Sequence, residues 1–340
     1  MTRNPDGRIP ATGDVEQGLS GADEEMNSRL PASVPDGGSQ PSLPFVSLVI
    51  PTLNAESEIG PLLQKLQNQT RQLSEILVVD SSSDDNTATI VKSVAATSSV
   101  PITLKVIDRK DFNHGGTRHD ALLQTKGDFV LFMTQDAVPA NERYVENLLA
   151  PFKDERVAVS SGRQLPKADA RRFEQLVRNF NYPETSFVRG EEDLETYGIK
   201  TFFTSDVCSA YRRSAYLKVG GFLRPCNMSE DMQIAARLVS AGYQVAYAAD
   251  AEVYHSHNLT PRQQYKRNYA VGQFLESSAD ILMGASEISE GGRLVKKVSK
   301  QLLQEGRVGE FFAFGIDCAA RLAGNRAGRA NARKVMKGGN

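Results

Sequence analysis

The chain has no run of about 20 apolar residues, the length that spans a bilayer, so no membrane-crossing segment is expected. Its first residues lack the short apolar stretch of a secretory signal. Cysteine is scarce: Cys208, Cys226 and Cys318 are widely separated and match no metal-knuckle spacing. They read as reduced thiols of a cytosolic protein. Charge of neither sign prevails. Lys and Arg number 40 against 41 for Asp and Glu, which leaves no global field to draw in nucleic acid and makes any basic patch local. Core material is plentiful. With 40% of 340 residues hydrophobic, there is enough for one large domain or two small ones.

Residues 1–43 stand apart. They are rich in Pro, Gly, Ser, Asp and Glu, with single scattered hydrophobics and no periodicity. Such a stretch cannot bury enough surface to offset its ordering entropy, so a disordered tail is expected. From residue 44 the pattern changes. The short, apolar, β-branched run Phe45 to Ile50 predicts a strand covered on both faces. Ile59, Leu62, Leu63 and Leu66 give helical spacing between Glu56 and Gln69. A second strand over Glu75 to Val79, a helix from about Asn86 to Ala96 and a strand over Ile102 to Ile107 follow. A helix over about Thr117 to Thr125 and a strand over Asp128 to Met133 complete the series. This alternation of strand and helix predicts a parallel α/β sheet.

In such sheets ligands bind beyond the C-terminal ends of the strands. Polar residues gather there: Thr52 and Asn54, then Asp80 to Asp85, then Asp108 and Arg109, then Gln135 and Asp136. A single acid after a strand fits a helix cap, and Asp84 or Asp85 fits that role. Four polar strand ends in succession are not accounted for by capping. A dinucleotide-dependent dehydrogenase is excluded. Strand one runs into Pro51-Thr52-Leu53-Asn54-Ala55-Glu56, without the glycines that let a backbone approach a pyrophosphate.

Val49-Ile50-Pro51-Thr52-Leu53-Asn54, Val78-Val79-Asp80-Ser81 and Ser229-Glu230-Asp231 resemble the family 2 glycosyltransferases of the GT-A fold. Phe112-Asn113-His114-Gly115-Gly116-Thr117-Arg118, Phe132-Met133-Thr134-Gln135-Asp136-Ala137 and His255-Ser256-His257-Asn258 resemble, more narrowly, bacterial rhamnosyltransferases. The resemblance extends from Val46 to Phe274. It implies an α/β, Rossmann-like, mostly parallel sheet flanked by helices over residues 44–260, with a helical extension over residues 261–340. It also implies an inverting enzyme that moves a sugar, L-rhamnose from dTDP-rhamnose in the narrower reading, to a cell-surface glycan or polyprenyl-linked acceptor. A UDP-sugar donor, or a non-catalytic nucleotide-sugar-binding module, are the alternatives.

Departure of a nucleoside diphosphate builds negative charge, which a metal bridging the phosphates offsets. Mg²⁺ or Mn²⁺ takes oxygen ligands, often one or two carboxylates plus phosphate and water. Many relatives supply an Asp-any-Asp pair, whereas Thr134-Gln135-Asp136 offers one acid. The resemblance implies that His255, or else His257, completes the shell of Asp136; in an extended segment both point to one side. By the same resemblance Thr52 and Asp80 flank the base, Glu56 accepts from ribose hydroxyls, and Arg118 contacts base or diphosphate. Asn54, Ser81 and Gln135 join them, with Ser81 standing where relatives often carry an acid. Glu56 fits equally well as a first-turn acid favouring the helix dipole.

Direct displacement at an anomeric carbon requires a base for the acceptor hydroxyl. The resemblance favours Asp231, with Glu230 orienting it or meeting the acceptor; an acid pair capping the following helix fits the same residues. Asn113 to Gly116 reads as a tight loop before a helix. Arg267 is a candidate clamp for the diphosphate, and a solvated helix face accounts for it nearly as well. Farther on, Arg293, Lys296, Lys297, Lys300, Arg321, Arg326, Arg329, Arg333, Lys334 and Lys337 give a positive bias beside Phe311, Phe312, Phe314 and Ile316. That pattern fits peripheral contact with the anionic inner face of a cell membrane, or a helical appendage packed on the catalytic domain. No nucleic-acid partner is expected.

Overall fold

The computed structural model describes residues 43–224, 226, 228–285 and 290–338. The tail expected over residues 1–43 lies, but for Leu43, outside the described residues. The expected alternation is present: β1 (Val46–Thr52), α1 (Ile59–Gln67), β2 (Glu75–Asp80), α2 (Thr87–Ala95), β3 (Ile102–Val106), α3 (His114–Gln124) and β4 (Phe129–Met133). These strands lie side by side as β3-β2-β1-β4, and each pairing is parallel. The apolar run of β1 serves two cores. Val46, Leu48 and Ile50 pack with Ile59, Leu62, Leu63 and Leu66 of α1, while Val49 joins Ala121 and Leu122 of α3 on the opposite face. A strand sandwiched between helices needs apolar residues at both parities, and each such burial stabilises by about 1.5–3 kcal/mol.

Past β4 the sheet changes sense. It continues with β5 (Val138–Pro139), α4 (Tyr144–Leu149), β6 (Val157–Leu165), α5 (Arg172–Asn181), β7 (Phe187–Arg189) and α6 (Leu194–Tyr197). Then come β8 (Cys208–Arg212), α7 (Arg213–Lys218), α8 (Glu230–Ser240) and β9 (Gln244–Tyr254). The order across the sheet is β3-β2-β1-β4-β8-β6-β9-β5, with β7 on β9. Because β8 runs against both β4 and β6, the parallel arrangement holds for the first half and the second half is mixed. Gln164 and Leu165 of β6 pair with Val253 and Tyr254 of β9, which brings the segments after these two strands together.

Three helices follow: α9 (Pro261–Ser277), α10 (Glu290–Gln304) and α11 (Val308–Gly338). Thr260 and Gln263 form a reciprocal cap, with Pro261 in the first turn, so the chain is set to turn helical there. Val298 and Leu302 of α10 and Phe314 of α11 share a core with Phe173, Leu176 and Val177 of α5. Helices α9 and α11 touch backbone to backbone. A methyl group at Gly324 or Gly328 would overlap the carbonyl oxygen of Tyr265 or Tyr269, and one at Gly272 would overlap that of Asn325. No helix among the described residues is long and apolar enough to cross a membrane.

Candidate active site

The strand ends are stitched to one another. Asp80 Oδ1 accepts from Thr52 Oγ1 at 3.1 Å, and its Oδ2 accepts from the Ser83 backbone N–H at 2.9 Å. Ser81 N–H donates to the Thr52 carbonyl at 2.9 Å. Asn54, in the left-handed region at φ 52°, accepts from Asp84 N–H at 2.9 Å. The Gln135 side-chain amide clamps Leu53, receiving its N–H at 2.8 Å and donating to its carbonyl at 3.1 Å. Thr52, Asn54, Asp80, Ser81 and Gln135 therefore meet at the C-terminal edge of β1, β2 and β4. Glu56 lies there too, but its carboxylate does not serve the helix that follows it. It accepts from the Asn86 backbone and side-chain N–H groups, both at 3.1 Å, just ahead of α2. Asp85 accepts from Thr87 N–H at 3.0 Å and takes the helix-start role expected for an acid in this loop.

A second group forms in the turn after β4. The Nε2 atoms of His255 and His257 each lie 3.4 Å from Asp136 Oδ2, and Lys167 Nζ lies 3.6 Å from the same oxygen. His255 is buried and its ring meets that of His257 edge-on, with centroids 4.7 Å apart. Gln164 Oε1 lies 3.0 Å from His255 Nδ1 and accepts from Arg178 Nη1 at 2.6 Å. Arg178 can only donate, which fixes that atom as the amide oxygen, so His255 must carry its proton on Nδ1 and turn an Nε2 lone pair toward Asp136. Burial, foremost, drives His255 down to about 3, so it is neutral. Burial also lowers His257, with Arg267 and Lys167 adding to the effect. For Asp136, burial pulls upward, yet positive charge nearby holds the carboxyl below its ordinary value. With His255 neutral, the compensating charge falls to Lys167.

The set fits a divalent ion. One carboxylate oxygen and two imidazole nitrogens lie within 4.8 Å of one another. Ligands about 2.1 Å from one ion at right angles stand ~3 Å apart, close to the separations here. Arg267 faces this group across a cavity of about 220 Å³ that is also lined by Arg178, Tyr182, Phe203 and His257. A larger open cavity of about 850 Å³, lined by Lys65, Glu142, Arg143 and Asp250, contains none of the expected site residues.

The third group is acidic. Ser229 holds a left-handed conformation, φ 58°, and α8 starts at Glu230, so Glu230 and Asp231 occupy its first turn. Ser229 makes no side-chain cap there, and the pair does more than favour the dipole. Glu230 Oε1 receives Arg118 Nη1 at 3.0 Å, and the two side chains retain only 9% and 5% of their exposure. Asp231 is raised to about 8 by burial first, then by Glu230 and Asp206. Asp206 accepts from Ser209 Oγ at 2.7 Å and Tyr211 OH at 2.8 Å through one oxygen; the other has no partner among the described residues. Burial lifts Asp206 to about 6, with Arg118 pulling it back. The Arg118 guanidinium, expected at the nucleotide, is thus built into the acid cluster.

One local expectation is corrected. Asn113 to Gly116 is not a loop before the helix: Asn113 is the cap of α3, accepting from Gly116 N–H at 2.7 Å, and His114 to Gly116 form the first turn. A methyl group at Gly116 would overlap the Asn113 carboxamide, so this glycine serves the cap. The turn carries Arg118 inward, one helical turn past His114. Three residues of the site were not singled out in the sequence: Lys167, Arg178 and Asp206. Lys167 lies two residues beyond β6, so the strand-end rule that found Asp136 would have reached it. Asp206 lies in an irregular segment ahead of β8 with no local signal. Gln164 ties the two clusters together, its Nε2 donating at 3.0 Å to Ser205 Oγ, next to Asp206.

Comparison with known proteins bears on the family and the fold. The model of the family described as glycosyl transferase family 2 matches residues 47–220. The chain is 42% identical over 267 residues to the O-antigen chain rhamnosyltransferase WbaN of Salmonella anatum, across 77% of this chain and 82% of that protein. It is 41% identical over 263 residues to the O-antigen chain rhamnosyltransferase RfbN of Salmonella typhimurium, across 76% and 82% respectively. Among solved structures, the mannosyltransferase PcManGT of Pyrobaculum calidifontis, in complex with GDP-Man and Mn²⁺, superposes with a TM-score of 0.57. That match covers 87% of this chain and 79% of the other at 19% identity, a likeness of fold.

Proposed function

The chain belongs to glycosyl transferase family 2 and is a glycosyltransferase; from that premise we propose that it transfers L-rhamnose from dTDP-rhamnose, with inversion, to a hydroxyl of a cell-surface or lipid-linked glycan. The donor is supported by the likeness to two rhamnosyltransferases, and the observation that carries the chemistry is the pairing of a nitrogen-and-carboxylate cluster with a separate buried acid cluster, joined through Gln164 and Ser205. Thr52, Asp80 and the surrounding strand ends take the nucleotide, with Asn54, Glu56, Ser81 and Gln135 shaping that edge. Asp136, His255 and His257 would hold a divalent ion, which when bound supplies positive charge to the departing diphosphate. Two imidazoles beside one carboxylate suit Mn²⁺ better than Mg²⁺, which favours oxygen. Arg267 adds charge from across the cavity.

Asp231 takes the proton of the acceptor hydroxyl. Its surroundings raise it to about 8, which makes the ionised carboxylate a stronger base than an exposed one. Glu230, anchored by Arg118, borders it. Acceptors carried on polyprenyl lipids fit the last helix, where exposed Val308, Phe312, Ile316 and Leu322 lead toward Arg326, Arg333, Lys334 and Lys337. Such a face suits peripheral contact with an anionic leaflet on the cytoplasmic side.

The test is donor hydrolysis and transfer by the purified chain across dTDP-rhamnose and UDP-sugars, with and without Mn²⁺. The expected result is dTDP-rhamnose preference, metal dependence, and an Asp231→Asn variant that binds donor yet transfers nothing. Turnover that ignores both donor and metal, or survives in full in the variant, overturns the proposal.

A further inference from the structure

Lys167 has its backbone fixed beside the histidine segment. Its N–H donates to Ser256 Oγ at 2.9 Å, and two residues earlier the Leu165 carbonyl accepts from His255 N–H at 2.9 Å. From that anchored point the side chain delivers its ammonium to within 3.6 Å of Asp136 Oδ2, the oxygen the two imidazoles also approach. The Lys167 side chain is 31% exposed, so a ligand entering from solvent can reach it.

An ammonium and a dication cannot share one carboxylate oxygen without strong repulsion, unless an anion comes between them. Glu174, the other carboxylate lining the cavity among the described residues, is already committed. Arg178 already uses Glu174 at 3.1 Å and the Gln164 oxygen at 2.6 Å. Arg267 faces the same cavity and adds a further positive charge. Among the described residues the locality thus holds two carboxylates, Asp136 and Glu174, against Lys167, Arg178, Arg267 and Arg321, before any metal arrives. Such a balance disfavours a bare dication and favours one that enters with a polyanion.

Resting on the nucleotide-sugar reading above, we propose that Lys167 is a diphosphate-binding residue that neutralises Asp136 in the free enzyme and passes to the donor's phosphate oxygens when the metal is bound. Lysine acts on phosphate as a mobile point charge, and its four-carbon stem allows this exchange of partner without backbone movement. A plain solvated ion pair with Asp136 would account for the 3.6 Å contact too, but it makes a different forecast: loss of the ammonium would leave nucleotide affinity alone.

The experiment is a pair of titrations on the wild-type chain, Lys167→Met and Lys167→Arg. Free Mn²⁺ binding is read by electron paramagnetic resonance without nucleotide, and dTDP binding is read by calorimetry at saturating Mn²⁺. Lys167→Met is expected to bind free Mn²⁺ several-fold more tightly and to bind dTDP about tenfold or more weakly, the order of a lost charge-assisted hydrogen bond. Lys167→Arg keeps the charge and is expected to recover most of the dTDP affinity. Movement in opposite directions is a signature that general damage to the fold cannot produce. Unchanged dTDP affinity in Lys167→Met overturns the role of Lys167 alone. Wild-type protein that binds neither dTDP nor UDP with Mn²⁺ overturns the nucleotide-sugar reading, and this proposal with it.

Discussion

Replacing Arg118 with methionine separates two roles for this guanidinium, one in the acid cluster and one at the nucleotide. It sits 3.0 Å from Glu230 Oε1, in a contact where both side chains are more than nine-tenths buried. Removing one member of a pair at that depth leaves a carboxylate without counter-charge, which costs about 3–5 kcal/mol. Coulomb's law at an effective dielectric constant of about 20 gives the same order for charges about 4 Å apart. In a chain this size each kcal/mol moves the melting midpoint by roughly 1.5–2 °C, so a fall of about 5–10 °C is expected at alkaline pH. The loss depends on pH. Arg118 also restrains Asp206, which stands at about 6, and Asp231 nearby is at about 8 against an ordinary 3.8. Without the guanidinium, the native cluster holds its protons more tightly still. A carboxyl raised in the folded state favours folding at low pH and loses that contribution as pH climbs through its folded value. The gap between Arg118→Met and wild type should therefore be narrow near the ordinary carboxylate range and widest above about pH 8. Urea titrations at the two ends of that window measure it, beside dTDP binding. A change under about 1 kcal/mol at high pH, with dTDP affinity lost, would place Arg118 at the nucleotide and refute the reasoning.

Asp206→Asn removes a like charge beside Asp231 while its carboxamide oxygen still accepts from Ser209 and Tyr211. Because the base works ionised, activity rises with pH through its pKa; the variant should shift that rising limb of kcat downward by about one unit, and an unmoved limb would contradict the coupling. Gly328→Ala raises helix propensity by about 1 kcal/mol, yet its methyl group meets the Tyr269 carbonyl oxygen. Net destabilisation of roughly 1–3 kcal/mol is expected by calorimetry, whereas a stabilised variant would deny the close approach of α9 and α11.

What the sequence makes legible follows from the range of each signal. Strands β1, β2 and β4 are readable because burial on both faces demands unbroken apolar runs, and that demand is local. Asp136 was reached by the strand-end rule, three residues past β4, whereas His255 and His257 were set beside it by the resemblance of their segment; the structure brings the three together. Arg118 and Glu230 are 112 positions apart, and neither segment records that the other will neutralise it. Asp206 is one acid in an irregular stretch. Its importance arises from a depth that only the finished sheet confers. The mixed half of the sheet was hidden likewise, since apolar alternation is the same in a strand running either way. Asn113 misled because a cap followed by two glycines has the composition of a turn.

The glycine contacts between α9 and α11 have a mechanical consequence. Helix α9 starts four residues past His257 and carries Arg267 near its middle. With Gly272, Gly324 and Gly328 seating one backbone against the other, these two helices have little freedom to slide. The far end of the chain is therefore geared to the flank of the histidine pair. A load on α11, such as a cut before Gly324, bears directly on α9, the helix that carries Arg267.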